Sequence, residues 1–338
     1  MLKIGLIGCG AVTERSHVPA LLAAGERIKI TTVVDRNPGR AELIANTCGA
    51  KSFTGIADAI PHIDAAIIAL PHFLHAPASI QLLTAGKHVL VEKPMAMNRA
   101  ECDNMIAASN KSGAVLCIAQ MRRFCPAVVA AKRLLAGGAL GKILRWTMLE
   151  GGVYNWPVAS DFFFRRETAG GGVLMDTGAH TLDMLLWFFG EVEQFEYRDD
   201  ACGGVEADCE IKLKMRDGSD GYVELSRTRN LSGILEVEGS DGRLVIDFYQ
   251  NQCVMSVPPF GAKLPLVTTG NYTPFAPDIA AAMFMLQLDD WISSIENKRE
   301  PLVTGKEGRR VVDFMESCYA SRKPLEKPWS VKNMKEAL

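Results

Sequence analysis

The sequence lacks any run of about 18 or more apolar residues, the length that a membrane-spanning helix requires. It also lacks a C-x-x-C pair, and its nine cysteines are an odd number. In a chain of 338 residues this cysteine usage indicates buried, reduced thiols and a cytoplasmic protein. No metal site is predicted, because the neighbouring His72 and His75 have no matching second pair of ligands.

An excess of charge of one sign is absent as well. Lys and Arg number 37, and Asp and Glu number 39, so the net charge is -2. This balance gives no excess of positive charge that would indicate binding to nucleic acid. The first residues, MLKIGLIGCG, carry one Lys and a short apolar run, which is not the layout of a signal peptide. These absences exclude membrane and nucleic-acid partners from the prediction. The length of 338 residues favours a globular chain of two domains.

The first third of the chain alternates between short apolar strands and helical stretches. Strands are predicted at 2–8, 28–35, 64–71, 87–92 and 114–120, with a weak additional strand near 51–53. Two of the helical stretches end at Gly49 and Gly86, where glycine accepts a left-handed backbone. This alternation predicts an α/β domain with a parallel sheet and helices on both faces.

The motif GCGAVT follows the first strand and opens a helix. Gly8 and Gly10 allow a tight turn that brings backbone N–H groups close to a pyrophosphate. Asp35 ends the second strand, where a carboxylate meets the adenosine ribose. Thr13 stands where the fingerprint has Gly or Ala, and Pro19 predicts that the first helix is short or restarts. Together these residues predict a dinucleotide-binding Rossmann domain.

The pattern changes after about Met121. Strands with Asp-Gly turns run from Lys142 to Pro259, and only a glycine-rich segment and its helix interrupt them. The tail returns to two helical stretches, at 278–297 and 306–319. This pattern predicts an α+β domain with a large, mostly antiparallel open sheet. The predicted domains are residues 1–123 and 124–338.

The stretch GGGVLMDTGAH places three glycines directly before a predicted helix. At helical spacing Asp176 and His180 share one face, and Asp183 follows on it. The glycines are expected to let the backbone pass close to a substrate or cofactor. A histidine has the intrinsic pKa to accept a hydroxyl proton near neutral pH, so this face is a candidate catalytic surface.

The whole chain resembles the glucose-fructose oxidoreductase / inositol dehydrogenase (Gfo/Idh/MocA) family. The stretches that carry the resemblance are GLIGCGAV, VVDRNPGRA, ALPHFLHAPASIQLLTAGKHVLVEKPMA and AGGGVLMDTGAHTLDMLLWFFG. The resemblance implies a nicotinamide cofactor and oxidation or reduction of a secondary alcohol on a sugar, cyclitol or related polyol. It also implies a homodimer or homotetramer joined through the second sheet. That sheet is expected to expose apolar residues that another subunit covers, among them Ile234, Leu235, Val237 and Val245.

The resemblance also assigns roles to single residues. Lys93 of the EKP tripeptide stabilises negative charge on the substrate oxygen, His180 takes the hydroxyl proton, and Asp176 orients the hydroxyl or the imidazole. Asp183 is a further candidate for orienting the site. The expected cofactor-binding residues are Gly8, Gly10, Ala11, Val12, Asp35, Arg36, Pro71, His72, His75, Glu92 and Lys93. The expected substrate-binding residues are Lys93, Tyr154, Trp156, Arg165, Asp176 and His180. For the two aromatic residues and the arginine of this set, packing or surface charge is an equal alternative.

The choice of cofactor depends on two neighbouring residues. Asp35 predicts a preference for NAD because its charge repels the 2′-phosphate of NADP, whereas Arg36 attracts that phosphate and keeps NADP possible. Two other functions stay open. One is an NADPH-dependent reductase of a non-sugar carbonyl, and the other is a sensor that binds NAD(P) without turnover. The joint presence of Lys93, Asp176 and His180 counts against the sensor, since binding alone does not require all three.

Overall fold

The computed structural model of the chain describes residues 1–157, 161–257, 262–268 and 277–325. They form two units, each built on its own sheet. The end of the last long predicted strand, at Pro258 and Pro259, lies outside these residues. Within the described ranges, no helix has both the length and the apolar character needed to cross a membrane.

The first sheet has six parallel strands, which confirms the predicted α/β domain and its weak additional strand. The strands are β1 Leu2–Ile7, β2 Ile28–Val34, β3 Lys51–Phe53, β4 Ala65–Ile68, β5 His88–Glu92 and β6 Leu116–Ala119. Their order across the sheet is β3-β2-β1-β4-β5-β6. In an open sheet of this order, ligands bind beyond the carboxyl ends of the strands, where the order reverses between β1 and β4.

Helices cover both faces of this sheet. They are α1 Val18–Ala23, α2 Pro38–Cys48, α3 Ile56–Ala59, α4 His75–Thr84 and α5 Arg99–Ser112. A π-helical turn, Thr13–His17, leads into α1, and Pro19 lies at its start, so the first helix restarts as predicted. Asn37 and Asn98 cap α2 and α5 by accepting backbone N–H groups of their first turns.

The second sheet has nine strands and confirms the predicted α+β unit. Its strands are β7 Ile143–Gly151, β8 Val192–Asp199, β9 Asp208–Met215, β10 Asp220–Ser226, β11 Ile234–Gly239, β12 Arg243–Asp247, β13 Gln252–Val257, β14 Ala262–Thr268 and β15 Lys323–Pro324. The order is β14-β13-β12-β11-β7-β10-β9-β8-β15. Only the pairs β7–β10 and β8–β15 are parallel among these neighbours.

Three helices accompany this sheet: α6 Pro126–Ala136, α7 Arg166–Ala169 and α8 Val173–Phe189. Leu235 and Val237 are fully buried in the core that also contains the inner side of α8. The expectation that these two residues are exposed is therefore wrong. Ile234 and Val245 point to the opposite face, since strand side chains alternate, and they are half-buried beside exposed Glu236.

The two closing helices, α9 Pro277–Glu296 and α10 Gly305–Ala320, return to the first unit. Phe284, Leu288 and Trp291 of α9 are buried in the core that lies against β1. Helix α10 packs against α5 and also against α8. The segment after residue 123 therefore contributes to both units. The domain boundary at this residue stays a prediction.

Candidate active site

The turn after β1 has the shape that a dinucleotide phosphate requires. Gly8 has a φ of 100°, and a Cβ there would lie 2.3 Å from the carbonyl oxygen of Ala69. Gly10 borders open space, because none of the described atoms lies within 4 Å of an added Cβ. Ala11 and Val12 begin the helical backbone that follows. This arrangement leaves room for a pyrophosphate at the start of the helix.

Thr13, which departs from the fingerprint, supports the turn through a hydrogen bond. Its buried hydroxyl donates to the carbonyl oxygen of Gly8 at 2.7 Å. The hydroxyl therefore closes the turn from inside, where a smaller residue would rely on close packing alone. The departure from the fingerprint leaves the phosphate turn intact.

Asp35 is oriented by the backbone on both sides. Its Oδ2 accepts the N–H of Cys9 at 2.9 Å, and its Oδ1 accepts the N–H of Asn37 at 2.8 Å. Each carboxylate oxygen has a further lone pair, so this fixed group is able to accept ribose hydroxyls. Arg36 is exposed beside it.

His72 and His75 are buried residues in the segment that follows β4. Half-buried Pro71 lies at the start of the same segment. The Nδ1 atom of His72 lies 2.8 Å from the carbonyl oxygen of Ala169, a residue of the second unit. His75 bridges the carbonyl oxygens of Leu70 and Pro94, at 2.8 and 2.7 Å. Burial, with a smaller contribution from the nearby His75, lowers the pKa of His72 to about 3. These contacts give both histidines a role in joining loops.

Glu92 links the phosphate turn to the EKP loop. One carboxylate oxygen lies 2.8 Å from Nε2 of His17, the last residue of the π-helical turn. The other oxygen accepts the backbone N–H of Lys93 at 3.2 Å. His17 was missed by sequence reasoning because it lies 75 residues from Glu92 and outside every motif.

Lys93 and Asp176 meet where the two units face each other. The Nζ atom of Lys93, at the end of β5, donates to Oδ1 of Asp176 at 2.6 Å and to its carbonyl oxygen at 3.2 Å. Oδ2 of Asp176 accepts Nη2 of Arg227 at 2.9 Å. Burial raises the pKa of this carboxyl, but the two cations outweigh burial and hold the pKa well below its usual range.

His180 lies one helical turn after Asp176, and its tautomer follows from Gln120. The Nε2 of Gln120 donates to the carbonyl oxygen of Ala179 at 3.0 Å, which identifies the other amide atom as the acceptor oxygen. Nδ1 of His180, 3.1 Å from that oxygen, must therefore carry the proton. Nε2 keeps its lone pair and has the form of a base. No sequence signal pointed to Gln120.

Packing within the chain requires glycine at two of the three positions before α8, and the expectation that these glycines also bring the backbone close to a ligand stays a prediction. At Gly171 an added Cβ would lie 1.9 Å from the hydroxyl oxygen of Tyr319, and at Gly172 1.8 Å from the carbonyl oxygen of Glu206. The buried carboxylate of Glu206 accepts the N–H groups of Gly172 and Leu174, both at 2.9 Å. It thereby caps the helix that carries Asp176.

The remaining predicted substrate-binding residues, Tyr154, Trp156 and Arg165, differ in their surroundings. Tyr154 lies under the guanidinium group of Arg227, whose central carbon is 4.8 Å from the ring centre. Trp156 is half-buried. Arg165 is exposed and pairs with Asp161 at 2.5 Å, so the structure gives it a surface partner.

Asp183 does not orient His180. It is buried, and its two oxygens accept Nε and Nη2 of Arg123 at 2.7 Å each. The same Nη2 also binds Glu307 at 2.7 Å. This buried ion pair joins α8 to α10 and stabilises the fold.

The strand order and the phosphate turn define a dinucleotide-binding unit of the Rossmann type. A family model described as "Oxidoreductase family, NAD-binding Rossmann fold" matches residues 2–120. A second model, the GFO/IDH/MocA C-terminal domain, matches residues 128–245. The chain belongs to the Gfo/Idh/MocA family of oxidoreductases.

Several proteins resemble the chain over nearly its full length. The myo-inositol 2-dehydrogenase of Thermotoga maritima is 26% identical, with 98% of each chain covered. The 1,5-anhydro-D-fructose reductase of Ensifer adhaerens is 26% identical over 91% of this chain and 92% of that protein. A solved levoglucosan dehydrogenase, in complex with NADH and levoglucosan, has a TM-score of 0.84 at 23% identity, with 95% of this chain and 96% of that chain covered. The chain is an NAD(P)-dependent oxidoreductase that acts on CH–OH groups.

Proposed function

We propose that the protein transfers a hydride between the nicotinamide of NAD and a secondary alcohol or ketone of a sugar, cyclitol or related small polyol. The observation that carries this proposal is the ion pair of Lys93 and Asp176, one helical turn from an imidazole with a free lone pair. The similarity to inositol and sugar-derivative enzymes supports the substrate class.

Lys93 polarises the reacting oxygen in this proposal. An ammonium group has three N–H donors, and Asp176 accepts two of those of Lys93 among the described contacts. The third is then available to a substrate oxygen. A fixed cation at that place stabilises the negative charge that develops when the hydroxyl loses its proton.

His180 moves the proton. During oxidation its Nε2 accepts the hydroxyl proton while the C–H bond breaks and a C=O bond forms. The phosphate turn and Asp35 would hold NAD, which would supply the acceptor for the hydride that leaves the carbon. In the reverse direction the imidazolium returns the proton to the carbonyl oxygen. The Nδ1–H group of His180 remains hydrogen-bonded to Gln120 throughout the reaction and keeps the imidazole ring oriented.

A panel of polyols and sugars, assayed with both cofactors in both directions, tests the proposed function. Turnover is measured from the nicotinamide absorbance, and cofactor binding is titrated separately. We expect turnover on at least one cyclic polyol or sugar. Cofactor binding without turnover on any member of the panel would contradict the proposal and favour a binding-only sensor.

Cofactor preference is expected to depend on Asp35. Unit charges about 4 Å apart interact by roughly 1–4 kcal/mol, which corresponds to about 5- to 1000-fold in affinity. We expect the wild-type protein to bind NAD more tightly than NADP by a factor in that range, and Asp35→Ser to shift the preference toward NADP. Titration of both cofactors against both proteins measures the shift.

The exposed residue Asp103 offers a matched control for that variant. Asp103→Ser removes the same charge from α5, where its partner is Arg309, and is expected to leave the cofactor preference unchanged. Thermal melting of Asp35→Ser verifies the fold, because this change also removes an acceptor for Cys9 and Asn37. Tighter binding of NADP by the wild type would overturn the role of Asp35 and make Arg36 the residue that sets specificity.

We further propose a homodimer or homotetramer, joined through the outer face of the second sheet between Cys209 and Gln250, in the cytoplasm. Half-buried Ile234 and Val245 support the assembly, because they give this charged face an apolar part. The nine cysteines are unpaired, which supports a reducing compartment. Light scattering at micromolar concentration is expected to give a dimer or larger mass, and a monomer mass would contradict the assembly.

A further inference from the structure

Arg227 makes the second contact to the Asp176 carboxylate, and neither the motifs nor the family resemblance pointed to it. It follows β10, in the second sheet, and lies 51 residues after Asp176. Its Nη2 donates to Oδ2 of Asp176 at 2.9 Å, whereas Lys93 occupies Oδ1. One carboxylate is therefore held between a cation of the first unit and a cation of the second.

The surroundings of Arg227 hold this side chain in place. Its backbone N–H donates to Ala207 at 2.8 Å, and its carbonyl oxygen accepts the N–H of Tyr154 at 3.0 Å. The guanidinium group also lies over the ring of Tyr154, at a distance where a cation and an aromatic face attract each other. The side chain is 8% exposed, less than the 20% of Asp176, so solvent screens this ion pair only weakly.

We propose that Arg227 is a positioning residue that fixes the plane of the Asp176 carboxylate and so directs the ammonium group of Lys93 toward the substrate oxygen. The inference rests on the proposed roles of Lys93 and Asp176. A carboxylate bound at one oxygen rotates about its χ2 angle, whereas a carboxylate bound at both oxygens is fixed. Small displacements of a positioned catalytic group cost large factors in rate.

The charge of Arg227 also acts on the protonation of Asp176. The groups that face this carboxyl are Lys93, Arg227, His72, His180 and Tyr154. Burial raises its pKa, and the attraction of the two cations lowers it to well below the usual range. Removal of Arg227 takes away one lowering cause, so the pKa of Asp176 rises. A protonated Asp176 no longer pairs with Lys93, so in the variant the protonation of Asp176 adds to that of His180 on the acid side and moves the acid limb of kcat/KM to higher pH.

The test is a double-mutant cycle with Arg227→Met and Asp176→Asn. We expect Arg227→Met alone to lower kcat roughly ten- to hundredfold. We also expect it to raise the midpoint of the acid limb. In the Asp176→Asn background the same change is expected to alter kcat by less than about twofold, because Arg227 acts through Asp176. Arg227→Lys restores the charge and is expected to return the midpoint to near its wild-type value.

A matched control is Arg123→Met, since Arg123 is also a buried arginine bound to a buried carboxylate, that of Asp183. It is expected to lower the melting temperature and leave the acid limb in place. An equal loss of kcat from Arg227→Met in both backgrounds, or an unmoved acid limb, overturns the inference and leaves the proposed function standing. Wild-type kcat in Asp176→Asn alone overturns the role of Asp176 and this inference with it.

Discussion

Replacement of Lys93 by methionine is expected to lower kcat by about a hundredfold or more, while the affinity for NAD stays within a few-fold. Methionine keeps much of the length of the side chain and removes the ammonium group that faces the substrate oxygen. The carboxylate of Asp176 keeps its second cation, Arg227, so the fold is preserved. Steady-state kinetics and a cofactor titration on the same preparation give both quantities.

Lys214 provides the control for this variant. It pairs with Asp220 on the surface of the second sheet, at 2.9 Å. Lys214→Met removes the same charge and is expected to keep wild-type kinetics. A near-normal kcat for Lys93→Met would show that the assigned role of Lys93 is wrong.

Replacement of His180 by asparagine is expected to lower kcat by about 10²- to 10⁴-fold without unfolding the protein. Asparagine is a small polar residue whose amide N–H is suited to replace the donor to Gln120, but it has no nitrogen that accepts a proton. The substitution therefore tests the role of His180 as a proton acceptor more than its role in packing. The exposed residue His62, changed to asparagine in the same way, is the control and is expected to be silent.

The same assignment fixes the pH profile of the wild type. Burial lowers the pKa of His180, and the charges of Lys93 and Arg122 lower it further, to well below 6.5. The neutral base therefore persists as the pH falls through 6.5. We expect kcat/KM for alcohol oxidation to decline only at more acidic pH. A midpoint at or above pH 6.5 would contradict the assignment.

Local patterns were sufficient for the fold and for proposing the residues to which we assign the chemistry. Short apolar strands rich in β-branched and aliphatic residues, glycine helix stops and the GCGAVT turn depend on neighbours in sequence, so they predicted the first sheet strand by strand. Asp176 and His180 are four residues apart on one helix, and Lys93 ends a strand whose position the pattern fixed. Their meeting in space followed from the family resemblance.

The residues that orient the site could not be predicted from local patterns, because their partners are far away in sequence. Gln120 fixes His180 across 60 residues, and Arg227 reaches Asp176 across 51. Glu206 occupies the space that the missing side chain of Gly172 leaves open. The residues next to each of them in sequence give no sign of this contact. A glycine run looks the same whether a ligand or another part of the chain requires it.

Helix α9 covers one side of the first unit, although it is made long after the strands of that unit. Its residues Phe284, Leu288 and Trp291 complete the core against β1, so the nucleotide-binding unit leaves the ribosome with that side uncovered. At about 5–20 residues per second, translation of the stretch from residue 123 to the end of α9 takes roughly ten to thirty seconds. During that interval the nascent strands depend on chaperones or on transient burial. A chain that ends before α9 contains every cofactor motif and yet leaves this side of its core exposed, so we expect it to be more susceptible to proteolysis than the full chain.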